Sequence, residues 1–253
     1  MVSHEKINDV SNYMTYDGKH LFHFTSFSSA VKIISSRTLL FGDFKSMNDI
    51  SESRREVFDD NAVKELSKYQ SLSFTFDKYD KRGFEIDSLW GYYAEKGNGM
   101  CLVFNKPRLI SQFKKIKGFK RRGKICYIKN FSNAIFFDND NKEPINKQIK
   151  KYYRNIFFTK SMDWHHENEF RLLIKSEYDN RATLSFDDAL VAIIICMPLV
   201  ERVEDACEYQ IIKKITDIPI LRYHTNLGNK DLTEIGGSQL WPLLGVDTNI
   251  DDS

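Results

Sequence analysis

With 253 residues, 42% of them apolar and 28% charged, the chain has the composition of a folded globular protein with room for one sizeable core, which excludes wholesale disorder. A formal net charge of +2 announces no nucleic-acid partner, and four cysteines without CxxC spacing argue against a disulfide or zinc framework and fit reduced thiols in a cytosol. The polar N-terminal segment lacks the apolar stretch of a signal peptide, and the longest apolar run, Ala189 to Val200, is too short to span a membrane, so a cytoplasmic protein without membrane contact is expected.

Residues 1–20 read as an extension, 21–246 as one domain and 247–253 as a flexible tail. Leu21 to Thr25 is a strand, followed by a helix over Ser28 to Ser36, where Ala30, Val31, Ile33 and Ile34 recur at helical spacing behind serines able to cap its start. Leu39 to Phe41 is extended. A polar stretch from Lys45 to Arg55 leads to a helix over Glu56 to Tyr69, and Leu72 to Phe76 is a strand. Asp77 to Glu85 reads as a charged loop, Leu89 to Ala94 as a helical turn, and Gly97 and Gly99 introduce a strand from Met100 to Phe104.

Lys114 to Lys124, KKIKGFKRRGK, is a basic segment whose interleaved Phe119 suits the backbone of a nucleic acid, although such a run is more often a solvated loop. Ile125 to Lys129 is a strand, Asn130 to Asn146 an irregular connection and Lys147 to Thr159 a helix. Farther on, Ala189 to Cys196 is a buried strand, Val203 to Ile215 a helix and Ile218 to His224 a strand.

The chemistry-bearing segment is Glu167 to Ile174, which alternates as a strand with Phe170, Leu172 and Ile174 on one face and Glu167, Glu169 and Arg171 on the other. Carboxylates at that spacing repel and raise one pKa unless a cation compensates, and Arg171 is placed to do so. The bland alternative is the solvated outer face of an edge strand. His165, His166 and Glu167 lack the H-E-x-x-H spacing, so no metal site is expected; a metal-dependent nuclease-like effector is the least favoured reading.

The segment Glu167, Asn168, Glu169, Phe170, Arg171, Leu172, Leu173 resembles the catalytic E-x-E strand of ADP-ribosyltransferases. LFHFTS at Leu21 to Ser26 resembles the strand that opens that superfamily, and Ser73, Phe74, Thr75 its Ser-x-Thr element. The order HFTS, SFT, W-x-x-Y at Trp90 to Tyr93 leading to GNGMCLVF, and W-x-x-E-x-E-x-R at Trp164 to Arg171 also resembles an uncharacterised bacterial family found among defence genes. His23 stands where the exotoxin branch carries Arg.

The resemblance implies an α+β fold: a single ADP-ribosyltransferase-like domain of split mixed and antiparallel sheets around an NAD cleft, with flanking helices. It implies a toxin or anti-phage effector that transfers ADP-ribose from NAD to a nucleic acid (RNA or DNA) or a protein and is held silent by a neutralising antitoxin. Glu169 would stabilise the charge developing on the nicotinamide ribose, and Glu167 would orient or deprotonate the acceptor. His23, Phe24 and Thr25 would hold the adenosine side of NAD, Ser73 and Thr75 would brace the glutamate or the nicotinamide ribose, Tyr92 or Tyr93 would stack on nicotinamide, and Arg171 would touch a phosphate or tune the carboxylates. Against these roles stand plainer ones: His23 as a core histidine, Thr25 and Ser26 as a helix cap, Tyr92 as core and Trp164 as packing. A non-catalytic nucleotide- or partner-binding module is the alternative of a different class.

Overall fold

A computed structural model of the chain describes residues 18–44, 47, 60–78, 81–129, 143–176, 180–196, 207–226, 229–235 and 240–242. Most of the expected N-terminal extension, the 247–253 tail, the polar stretch from Lys45, the start of the helix expected at Glu56, most of the connection from Asn130 and the start of the helix expected at Val203 lie outside the described residues.

In chain order come strand β1 (His20–Thr25), helix α1 (Phe27–Ser36), strands β2 (Thr38–Leu40) and β3 (Gly42–Asp43), helix α2 (Asp60–Leu66) and strand β4 (Tyr69–Thr75). Helix α3 (Asp87–Tyr93) and strand β5 (Met100–Asn105) follow, then helix α4 (Lys106–Lys115) and strands β6 (Lys120–Lys124) and β7 (Cys126–Ile128). Helix α5 (Ile145–Phe157) leads into β8 (Thr159–Ser161), β9 (Glu169–Lys175), β10 (Thr183–Ser185) and β11 (Leu190–Ile195). Helix α6 (Cys207–Ile215) and strands β12 (Ile220–Asn226), β13 (Asn229–Glu234) and β14 (Leu240–Pro242) complete the order. Helices and strands are thus mixed along the chain, and no helix among the described residues is long and apolar enough to cross a membrane.

The backbone groups into two compact units. The first comprises the described residues of Met1–Ser36, Asp77–Asn105 and Leu190–Ser253. Its strands run in the order β14-β13-β12-β11-β5-β1, all neighbours antiparallel except β11 and β12. All six residues of β11, LVAIII, are buried, as a β-branched run flanked by strands on both sides should be. Ser26 Oγ accepts from the Ser29 amide at 3.2 Å and caps α1, so the cap foreseen at its start is Ser26. The core gathers Phe22, Phe24, Phe84, Leu89, Trp90 and Tyr223, with the Trp90 indole stacked on Tyr223 and donating to the Phe84 carbonyl at 2.8 Å.

The second unit comprises the described residues of Arg37–Phe76 and Lys106–Ala189. Strand β9 lies between β4 and β6, antiparallel to both, β3 pairs with β4, and β2 with β10 and β7 with β8 form separate pairs. Strand β9 has a neighbour on each side and EFRLLI is buried throughout, which together remove the solvated-edge alternative. Helix α5 lays Ile149, Ile156 and Phe157 into a core with Tyr69, Phe158 and Leu173. Two sequence-derived boundaries move: Tyr69 opens β4 instead of closing a helix, and the basic run is not one segment, since it ends α4, turns at Gly118 (φ 83°) and continues as β6.

Candidate functional site

Strand β9 does not begin at Glu167. Residues Met162–Glu167 form a 3-10 helix, and Asn168 follows with φ 47° and ψ 53°, the left-handed conformation that asparagine tolerates better than most side chains. The Asn168 side-chain amide donates to the Phe76 carbonyl and its backbone carbonyl accepts from the Phe76 amide at 3.2 Å, which holds the corner. The expected single strand face with two glutamates is therefore corrected. Glu167 closes a helix, and only Glu169 and Arg171 share the strand face.

The carboxylates still converge, because a cation unmarked in the sequence reading draws them together. Lys160 Nζ lies 2.7 Å from Glu167 Oε2 and 3.1 Å from Glu169 Oε2. Arg171 Nε donates to Glu169 Oε1 at 2.6 Å and its Nη2 to Oε2 at 3.0 Å, while its Nη1 donates to the Phe157 carbonyl at 2.7 Å. Ser73 Oγ, on β4, donates to Glu169 Oε1 at 2.6 Å, and the Glu169 amide donates to the Tyr127 hydroxyl at 2.9 Å. Thr75 is the register partner of Glu169 and Ser73 that of Arg171.

Glu169 is 3% exposed and Arg171 not at all. Burial alone would raise the Glu169 pKa; the charges of Arg171 and Lys160 and the hydrogen bonds from Arg171 and Ser73 outweigh it and pull the carboxyl down to about 2. Burial pushes the Tyr127 hydroxyl far up, so it stays protonated beside the cluster. The arrangement is a buried carboxylate held ionised at neutral pH in a charge-balanced network, and it can supply a fixed negative charge in a low-dielectric setting.

Ser73, Thr75, Glu167, Glu169 and Arg171 are thus brought together in the second unit. His23, Phe24, Thr25, Tyr92 and Tyr93 belong to the first. There, His23 on β1 is half-buried and Thr25 buried, while the Phe24 ring packs edge-on against Trp90 at 5.2 Å in the core. Tyr93 packs partly buried against the same core, whereas Tyr92 is 63% exposed and so is not the core residue its plainer reading made it. His165 and His166 point Nδ1 at the Met162 and Asp163 carbonyls of their own 3-10 helix, and Trp164 packs under Lys160 Nζ at 5.4 Å and beside His166. Lys160 is the member of this cluster that sequence reasoning missed. The available signal was the charge imbalance itself: closely spaced carboxylates with one arginine call for a second cation, although the imbalance does not say which lysine supplies it.

Among known proteins, residues 89–172 match the family model described as "Protein of unknown function (DUF2971)". The matched stretch carries both Trp90 to Tyr93 and Trp164 to Arg171, and with them Lys160, Glu167 and Glu169. No curated protein and no solved structure matches the chain.

Proposed function

We propose that the protein transfers ADP-ribose from NAD, with Glu169 as the fixed anion of the reaction. One observation supports this above the others: the glutamate that the resemblance marks is buried and ionised, and takes a 2.6 Å hydrogen bond from Ser73, the residue expected to brace it. Bound NAD supplies nicotinamide as a leaving group and an anomeric carbon that becomes positive as the bond to nicotinamide breaks. Glu169 meets that charge, and water exclusion strengthens the attraction. Arg171 and Ser73 fix the carboxylate's orientation, so that no reorganisation is needed as charge develops.

In this proposal Glu167 orients or deprotonates the acceptor, and its Oε2, which accepts from Lys160, also holds Lys160 against Glu169. The resemblance gives His23 and Thr25 to the adenosine ribose; of the two tyrosines, Tyr92 has the more exposed ring to offer nicotinamide. An RNA, DNA or protein acceptor, a role as toxin or anti-phage effector in the cytoplasm and a neutralising antitoxin belong to the same proposal and rest on the resemblance alone.

A second reading, a non-catalytic binding module, is favoured by the saturation of Glu169. A carboxylate offers about four acceptor positions. Here Oε1 takes Ser73 and Arg171 Nε, and Oε2 takes Arg171 Nη2 and Lys160. The test is nicotinamide release by wild type and Glu169→Gln, with and without cell RNA, single-stranded DNA or lysate protein. The transferase reading expects release to fall by about 10²-fold or more in Glu169→Gln. No release by folded wild type under any condition overturns it and leaves the binding module.

A further inference from the structure

A strongly positive surface lies on the second unit, and the chemistry proposed for Glu169 makes no use of it. Arg122 and Lys124 alternate onto one face of β6, opposite Leu172 and Phe170 of β9. Lys106, in the first turn of α4, sets its Nζ over the Phe170 ring at 4.9 Å, and Lys124 sets its Nζ over the Phe76 ring at 4.1 Å. Arg122 and Lys124 are exposed and Lys106 half-buried, and among the described residues no carboxylate pairs with any of the three. Burial, Lys124 and Arg122 all push the Lys106 pKa down, with no acidic neighbour acting the other way. The first turn of α4 carries no acidic residue either, so the partial positive charge of the helix N-terminus adds to the cluster.

The other face of β6 is also cationic. Arg121 lies over the rings of Phe119 at 4.6 Å and Tyr153 at 5.0 Å, and exposed Arg154 of α5 flanks Tyr153. Among the described residues strand β6 ends the strand order of its sheet, so both cationic faces meet at one margin.

We propose that this margin binds the phosphodiester backbone of single-stranded nucleic acid, with Lys106, Arg122 and Lys124 on the phosphates and the Arg121–Phe119–Tyr153 stack beside the bases. Unpaired cations that repel one another are stabilised by a polyanion. Alternate residues of a strand are about 6.6 Å apart, comparable to successive phosphates of an extended single strand. Planar guanidinium and aromatic groups suit unstacked bases, which a duplex does not offer. As recognition of the acceptor the inference rests on the transferase reading; as a binding surface it stands without it.

The experiment is fluorescence anisotropy of labelled oligo-U and oligo-dT on the full chain across a salt titration, without NAD, with duplex DNA and polyglutamate as competitors. Wild type should bind the single strands, and Lys106→Gln/Arg122→Gln/Lys124→Gln should weaken binding about tenfold or more and reduce the log–log salt slope by about 2. A charge-matched control in the other unit, Lys32→Gln/Lys213→Gln/Lys214→Gln, should stay within about twofold of wild type. Arg122→Gln alone, at an exposed position, should weaken binding in the same direction and keeps the test decisive if the triple variant fails to fold. No binding by wild type, an equal loss in the control, or displacement by polyglutamate as effective as by oligo-U overturns the proposal, the last in favour of an acidic protein. Because binding is read without NAD, a failure of nicotinamide release leaves this result standing, and the reverse holds as well.

Discussion

Ser73 reaches diagonally across a strand pair: its register partner is Arg171, yet its hydroxyl donates to Glu169, whose own partner is Thr75, at 2.6 Å. The diagonal lets the Arg171 guanidinium lie along both carboxylate oxygens, so that hydroxyl and guanidinium clamp Glu169 from two strands.

Ser73→Ala removes a donor to a buried charge without changing any charge, and should cost about 2 kcal/mol of stability by urea unfolding. Under the transferase reading the same variant should lower kcat for nicotinamide release with little change in KM, because the clamp positions Glu169 without holding substrate. A stability equal to wild type would mean that the hydroxyl is dispensable to the clamp.

Lys160 holds Glu167 and Glu169 together, so Lys160→Met leaves closely placed carboxylates with only Arg171 to balance them. The expected loss is about 3–5 kcal/mol. Adding Glu167→Gln removes the uncompensated anion, and the double variant should be more stable than the two single losses sum to, with a coupling above about 0.5 kcal/mol. Simple additivity in this double-mutant cycle would show that Lys160 and Glu167 do not stabilise one another.

Acid should unfold the protein through Glu169. Its folded pKa of about 2 lies below the ordinary 4.5, so the unfolded state binds the proton more readily. The contribution is therefore fully present above the unfolded value and is lost as pH falls from 4.5 towards about 2. A shift of this size corresponds to about 3 kcal/mol. Urea unfolding of wild type and Glu169→Gln across that window should show a shallower pH dependence in the variant; equal slopes would place the acid sensitivity in other carboxylates.

Much of the fold was legible because periodicity and burial agree. The strand ahead of α1, the buried run of β11 and the helix over α5 carry their spacing openly. Other features turn on tertiary context. Pro107 and flanking charges hide α4, which is recognisable only once Leu109, Ile110 and Phe113 are seen to be buried together. The stretch from Asp77 reads as a charged loop with nothing to mark it as buried, yet Arg82 is buried, its amide donates to Glu85 Oε2 at 2.6 Å, and Asp77 Oδ1 accepts from the Gly83 amide at 3.0 Å. At the site, Glu169 and Arg171 were legible from strand spacing, and Ser73 from the resemblance of Ser73, Phe74 and Thr75 to a Ser-x-Thr element. The break at Asn168 was not, because one left-handed residue leaves the apolar alternation on either side of it intact; nor was Lys160, whose partner is chosen by the fold and not by sequence distance.

Gly99 and Gly91 give a paired test of close packing in the first unit. A Cβ on Gly99 would stand 2.4 Å from the Thr25 carbonyl oxygen and 2.8 Å from the Ala94 backbone, which are main-chain atoms that cannot swing aside. Gly99→Ala must therefore displace the end of β1 or the turn before β5, at a cost of about 1–3 kcal/mol or more. A Cβ on Gly91, inside α3, would meet nothing within 4 Å, so Gly91→Ala encounters no obstacle. It should stabilise by about 0.5–1 kcal/mol, since alanine loses less backbone freedom in a helix. Thermal melts of the two variants should move in opposite directions from wild type; a Gly99→Ala variant as stable as wild type would show that the backbone at Thr25 yields, and with it the fixed placement of the strand that carries His23.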